Sequence, residues 1–290
     1  MKRVLVTGGE GFVGNSLVAR LISNGADVTV LRRSAREVEH RPSPPGPHIC
    51  TLEQLEAEET FEFDSVFHLA THYVFEHSHE DCSSLVASNV ELIMRVGDLA
   101  MRSVQSVSLV NVSTFMQHHE GLPYQPTCLY AATKQAAEVI LQYFSLAPNM
   151  TVKTLVFPHI YGENDQRPKL LNLLIRCAKT STEMELASGQ QVMDLVHVDD
   201  AVEALMYVAL RPSGRWSISS GQVIKIRDLV SLIERHSGKT LNVRYNANKD
   251  RALDQYHLWH SAEPLPGWAP KVELENWLAQ VFPLTKGENQ

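Results

Sequence analysis

Tyr130 and Lys134 stand four residues apart in the run Tyr-Ala-Ala-Thr-Lys, so on a helix they share one face. A phenol ordinarily titrates near pH ~10 and exchanges protons poorly at neutral pH. A neighbouring lysine cation favours the phenolate and moves that pKa towards the working range, so the pair suits general acid–base chemistry. Sixteen residues upstream of the tyrosine, Asn111-Val112-Ser113-Thr114 supplies hydroxyl donors for a substrate oxygen. Tyr-x-x-x-Lys alone fits an ordinary surface helix equally well. Joined in order to those hydroxyls and to a glycine turn near the N-terminus, it is much more specific.

That turn is Thr7-Gly8-Gly9-Glu10-Gly11-Phe12-Val13-Gly14. It sits between an apolar run expected as a strand (3–7) and an amphipathic run expected as a helix (15–24). Gly8, Gly11 and Gly14 allow a tight turn, backbone approach to a pyrophosphate and close seating of the helix, with Phe12 and Val13 opening it. The phosphates would meet the helix amides and the positive end of its dipole. A purely structural turn is the bland alternative. Where NAD sites carry an acidic residue, about 20 residues beyond the glycines, this chain has Arg32-Arg33, with Arg36 soon after. A carboxylate repels a 2′-phosphate and guanidinium groups attract it, so these residues favour NADP(H) over a merely solvated basic turn.

Further strands are expected at 28–31, 65–70, 106–112 and 151–157, and helices at 85–101 and 130–146. This alternation predicts an α/β fold, a doubly wound parallel sheet of the Rossmann kind covered on both faces. The proline-rich stretch 36–47 is expected as a surface loop. Beyond about residue 163 the alternation weakens, with helices expected at 170–179, 200–210 and 226–236. The predicted organisation is a dinucleotide-binding domain over 1–165 and a smaller C-terminal lobe over 166–290, mainly for substrate, with segments free to return to the sheet.

The chain has 290 residues, 44% of them hydrophobic, and a formal net charge of −7, which supports a substantial core and argues against a broad grip on nucleic acid. Cys50, Cys82, Cys128 and Cys177 form neither a CxxC pair nor a disulfide framework, and reduced thiols in a cytoplasmic protein are the simpler reading. Met1-Lys2-Arg3 looks like the basic start of a signal peptide, but the apolar run after it stops at Gly8-Gly9. No apolar stretch is long enough to span a bilayer. His68 and His72 are four apart, but His68 lies on an expected strand, and no metal is expected.

In order, the glycine turn, Phe67-His68-Leu69-Ala70, Asn89, Ser113-Thr114, Tyr130/Lys134, Ile160-Tyr161-Gly162, Val198-Asp199-Asp200 and Leu265-Pro266-Gly267-Trp268 resemble the extended short-chain dehydrogenase/reductases. The likeness covers nearly the whole chain and is nearest to the nucleotide-sugar epimerases, dehydratases and 4-ketoreductases. The run from Asn111 to His119, followed by Leu129-Tyr-Ala-Ala-Thr-Lys-Gln135, is similar to reductases that make CDP-linked dideoxyhexoses. The resemblance implies Tyr130 as proton donor, Lys134 as its electrostatic partner and Thr114 as the carbonyl-polarising hydroxyl, with Ser113 second for that role. It places Leu69 and Ala70 under the cofactor, Lys134 on the nicotinamide ribose and Pro158 near the nicotinamide. His118 is a candidate for the sugar pocket. His159 stands where the family usually carries Asn, and Met193 where it often carries a diphosphate-binding Arg. Arg251 matches a later Arg that binds the diphosphate.

Family dehydratases place Asp-Glu directly after the catalytic Thr, whereas Phe115-Met116 stand here and exchange no protons. Arg32 and Arg33 favour NADPH-dependent reduction of a nucleotide-linked 4-keto sugar over epimerisation with bound NAD. A non-catalytic NADP(H)-sensing regulator on the same fold is a further alternative, against which the intact Tyr/Lys pair counts. So is reduction of a small aldehyde or ketone, which Arg251 disfavours. The family's helical dimer contact, over 85–101 and 130–146, suggests a homodimer.

Overall fold

The computed structural model describes residues 1–33, 46–260 and 262–283. Arg36, and the expected loop 36–47 apart from Gly46 and Pro47, lie outside the described residues. The chain divides into two compact units, the first comprising 1–157, 201–218 and 260–268, the second 158–200, 219–259 and 269–290.

The first unit is built on an eight-stranded, wholly parallel sheet. Its strands are β1 (Arg3–Thr7), β2 (Asp27–Arg32), β3 (His48–Thr51), β4 (Ser65–His68), β5 (Val107–Thr114), β6 (Met150–Phe157), β10 (Gly214–Ser217) and β13 (Glu263–Pro264). The order β13-β10-β6-β5-β4-β1-β2-β3 reverses direction between β1 and β4, so the crevice at their carboxyl ends is the expected ligand position. The central strands are buried on both faces, as helices on each side require. On one face Leu5, Val66, Leu109 and Val152 form a core with Ile93, Val96, Ala137, Leu141 and Phe144 from α4 (Leu92–Met101) and α5 (Leu129–Phe144). Gly97 lets those helices close up, because a Cβ there would lie 2.6 Å from the Phe144 ring.

The sequence leads to one continuous helix over 85–101. Instead α3 (Asp81–Val86) is followed by a π turn, Ala87–Glu91, before α4. Such turns insert a residue and re-aim side chains, and here the buried Asn89 lies within it. The first unit ends at Phe157 and not near 165, and it takes back 201–218 and 260–268, because β10 must pair with β6 and β13 with β10.

The second unit holds a three-stranded sheet of β7 (His159–Tyr161), β9 (Val192–His197) and β11 (Val223–Lys225), in the order β11-β9-β7, and a two-stranded one of β8 (Met184–Leu186) and β12 (Val243–Tyr245). Around them α6 (Leu170–Thr180), α8 (Ile226–Ser237) and α9 (Leu274–Val281) contribute Leu174, Ile233, Trp277 and Leu278 to a separate core.

Candidate active site

The glycine turn is where backbone meets backbone. Gly8 has φ +70°, and a Cβ on it would lie 2.6 Å from the Ala70 nitrogen, so the turn rests directly on the exit of β4 at Leu69 and Ala70. A Cβ on Gly14 would lie 2.0 Å from the Gly8 carbonyl oxygen. Gly9, outside the expected triplet, is also confined, because a Cβ on it would lie 2.8 and 2.9 Å from the Val30 side-chain carbons. Helix α1 (Phe12–Ser23) opens with Gly11 as its N-cap, no side-chain cap and no acidic residue in its first turn. The amino end of the helix, where Phe12 and Val13 stand, thus presents the positive end of its dipole without a capping side chain or an acidic neighbour in its first turn, as an anion would need. This fits a dinucleotide pyrophosphate. Gly14→Ala is expected to abolish the rise in melting temperature given by a saturating nicotinamide dinucleotide, a gain worth about 2.7 kcal/mol at 100 times Kd in a competent protein. An undiminished shift in a thermal melt would contradict it.

At the end of β2, Arg32 is largely buried and ion-paired with Glu10 of the turn, while Arg33 is exposed. Thr7 closes the cradle from below: its hydroxyl accepts from the Ala70 amide at 3.2 Å and lies 2.9 Å from His68 Nδ1. Burial, then the Lys134 cation, holds the His68 pKa well below its ordinary value.

Helix α5 carries Tyr130 in its first turn and Lys134 one turn later, both buried. Tyr130 sits in an apolar cluster with Leu85, Met116 and Ala131, and its ring meets that of Tyr73 edge-on at 4.9 Å. The structure departs here from the sequence expectation. Burial pushes the Tyr130 phenol above its ordinary value, and a hydrogen bond with Thr71 only partly opposes it. Lys134 shifts in the opposite direction: burial lowers it to about 8, with the Glu138 carboxylate working the other way. Asn89 braces this helix, its amide donating to Thr133 Oγ1 at 2.9 Å and its oxygen accepting from Thr71 Oγ1 at 2.9 Å.

Ser113 and Thr114 end β5 and differ in direction. The Ser113 hydroxyl lies within hydrogen-bond reach of both Gln117 Oε1 and Glu138 Oε1, so its single proton serves an internal network. Thr114 Oγ1 accepts from the Met116 amide at 3.3 Å, which leaves its proton to offer. His118 follows this turn, half-buried, with Nδ1 3.3 Å from the Leu122 carbonyl; burial and then Arg215 lower its pKa. Gln117, Glu138 and Arg215 were not foreseen from the sequence, although Glu138 lies one helical turn beyond Lys134 and Gln117 three residues beyond Thr114.

The first unit thus holds the glycine turn, Arg32, Arg33, Leu69, Ala70, Ser113, Thr114, His118, Tyr130 and Lys134. Pro158, His159 and Arg251 belong to the second unit. Burial, with Lys169 and Arg167 nearby, lowers His159 to about 4, so it is neutral at physiological pH. Arg251 is exposed, and its backbone amide donates to Asp254 Oδ2 at 2.9 Å. Among the described residues no three His, Cys, Asp or Glu side chains are grouped to hold a metal, and no helix is long and apolar enough to cross a membrane.

The chain is 22% identical over 294 residues to a CDP-abequose synthase of Salmonella muenchen, covering 97% of each. It is 26% identical over 328 residues to a dTDP-glucose 4,6-dehydratase of Haemophilus influenzae, again covering 97% of each. Among solved structures it superposes on MoeE5 in complex with UDP-glucose and NAD with a TM-score of 0.80 at 25% identity, over 96% of this chain and 97% of that one. The model of the NAD dependent epimerase/dehydratase family matches residues 4–219, and the chain belongs to that family of nucleotide-sugar-modifying, nicotinamide-dependent enzymes.

Proposed function

We propose that the protein reduces a nucleotide-linked 4-keto-6-deoxyhexose to the 4-hydroxy sugar at the expense of NADPH. The observation that carries this reading is Arg32, held by Glu10 beside the glycine turn where a 2′-phosphate would lie. Bound NADPH would supply the hydride to the ketone carbon. Thr114 would donate its free proton to the ketone oxygen and hold it, and Tyr130 would then protonate that oxygen. A phenol kept protonated by burial suits the donor role that reduction demands. Lys134 would bind the nicotinamide ribose, Leu69 and Ala70 would underlie the dinucleotide, and Pro158 would border the nicotinamide. His118 and His159 would meet the sugar side, and Arg251 the diphosphate.

Phe115 and Met116, side by side after Thr114, supply no group to move the protons of an eliminated water, so dehydration is not favoured. The match to a relative named for a CDP-linked sugar supports the substrate class. Epimerisation with retained NAD is the second reading, favoured by the NAD in the MoeE5 complex. The two readings differ in the cofactor consumed. Purified protein should oxidise NADPH with a nucleotide-4-keto-6-deoxyhexose and release no NAD on denaturation; retained NAD without net NADPH oxidation would favour the epimerase. Arg32→Ser should raise the NADPH Kd roughly 10- to 100-fold, the loss of a charge-assisted contact, and leave that of NADH almost unchanged. Fluorescence titration of both reduced dinucleotides checks this, and equal losses would count against the 2′-phosphate role.

The same reading extends to assembly in a cytoplasmic homodimer. Val86 and Met94 on α3 and α4, and Val139 and Tyr143 on α5, are exposed apolar side chains on the helices that would meet a second copy.

A further inference from the structure

Buried acidic side chains need partners, because desolvation of an isolated carboxylate is costly. Glu138 is such a residue, with only 8% of its side chain exposed. Both of its oxygens are engaged. Oε2 accepts from Arg215 Nε at 2.8 Å, and Oε1 accepts from Gln117 Nε2 at 3.0 Å and lies within reach of the Ser113 hydroxyl. Gln117, fully buried, turns its own oxygen back to the Thr114 amide at 3.2 Å. The cation that anchors this group comes from the last part of the sheet. Thr7, His68, Asn111 and Thr154 stand in register across β1, β4, β5 and β6, and the row continues to Arg215 on β10. One strand row therefore delivers the guanidinium to the helix that carries Lys134.

We infer that Glu138, clamped by Arg215, is a positioning residue that locks the turn bearing Thr114 to the helix bearing Tyr130 and Lys134. This rests on the roles proposed above for those residues. The carboxylate reaches the turn that bears Thr114 through Ser113 and Gln117. A buried ion pair is weak evidence of added stability but a direct means of fixing one geometry. Here the geometry fixed is the separation between a carbonyl-polarising hydroxyl and a proton donor, where small displacements cost rate.

The test is a double-mutant cycle on the full chain, reading NADPH-dependent turnover of a nucleotide-4-keto-6-deoxyhexose alongside NADPH binding by fluorescence. Glu138→Gln is expected to lower kcat about 30-fold with the NADPH Kd within about twofold, and to cost less than about threefold when Thr114 is already Ala. Equal losses in the two backgrounds, or a kcat within about threefold of the unaltered protein, would overturn the positioning role. Should Glu138→Gln fail to fold, Arg215→Lys keeps the charge but loses the Nε contact, and the same kcat-only loss, about 10-fold, is expected. A loss in NADPH affinity instead would overturn it. Full activity in Thr114→Ala would sink the reading of the site itself, so the two failures are distinguishable.

Discussion

Tyr130→Phe should lower NADPH-dependent turnover of a nucleotide-4-keto-6-deoxyhexose by about 10²- to 10⁴-fold, the usual worth of a positioned proton donor. The change removes one oxygen and little else. The ring stays in its cluster with Leu85, Met116 and Ala131, against Tyr73, so the fold and the dinucleotide cradle should be retained. The buried hydroxyl has a partner in Thr71, and losing one such bond costs about 1 kcal/mol, too little to unfold the protein. NADPH binding should therefore be unaltered, and kcat should carry the effect. Steady-state rates followed by nicotinamide absorbance, with the NADPH Kd measured in parallel, decide the matter. A variant turning over as fast as the unaltered protein would remove the phenol from the mechanism.

The parts of the site that were legible in the sequence are those with local patterns. The first strand, its glycine turn and the Tyr/Lys pair each lie within a few residues, and buried parallel strands show as short apolar runs. Gly9 escaped because its neighbours, Val30 and Val18, are set by packing and not by the turn's own spacing. β3 and α2 (Leu52–Ala57) also went unread, although Thr51 and Gln54 form a capping box at their junction. The Glu138 network was invisible for a different reason. A glutamate four residues past a lysine looks like a solvated helical pair, and nothing local shows that an arginine 77 residues later is folded beneath it. The interleaving of the two units has the same cause, since β10 and β13 reach the sheet by long-range pairing.

Lys134 provides the second large expectation, because its two consequences have opposite signs. The side chain is 2% exposed, and burial lowers its pKa from 10.5 to about 8. Between those values the unfolded chain binds the proton and the folded chain does not, so stability rises with pH across that window. Below about pH 8 the folded protein carries the charge at full cost, on the order of 3 kcal/mol for a shift of this size. Lys134→Met keeps the apolar stem and removes the ammonium. At pH 7 it should melt several degrees higher than the unaltered protein, at roughly 2–4 °C per kcal/mol, while turnover falls by about 10²-fold or more. The gain in melting temperature should shrink as pH rises towards 10, where the unaltered lysine is already neutral in the fold. A scan of melting temperature against pH for both proteins tests the sign directly. A variant that melts lower at pH 7, or a gain that does not change with pH, would mean that Lys134 is not held at a cost. A fold more stable with Lys134→Met would be the trade expected of the proposed role, in which the charge serves the site at the expense of stability.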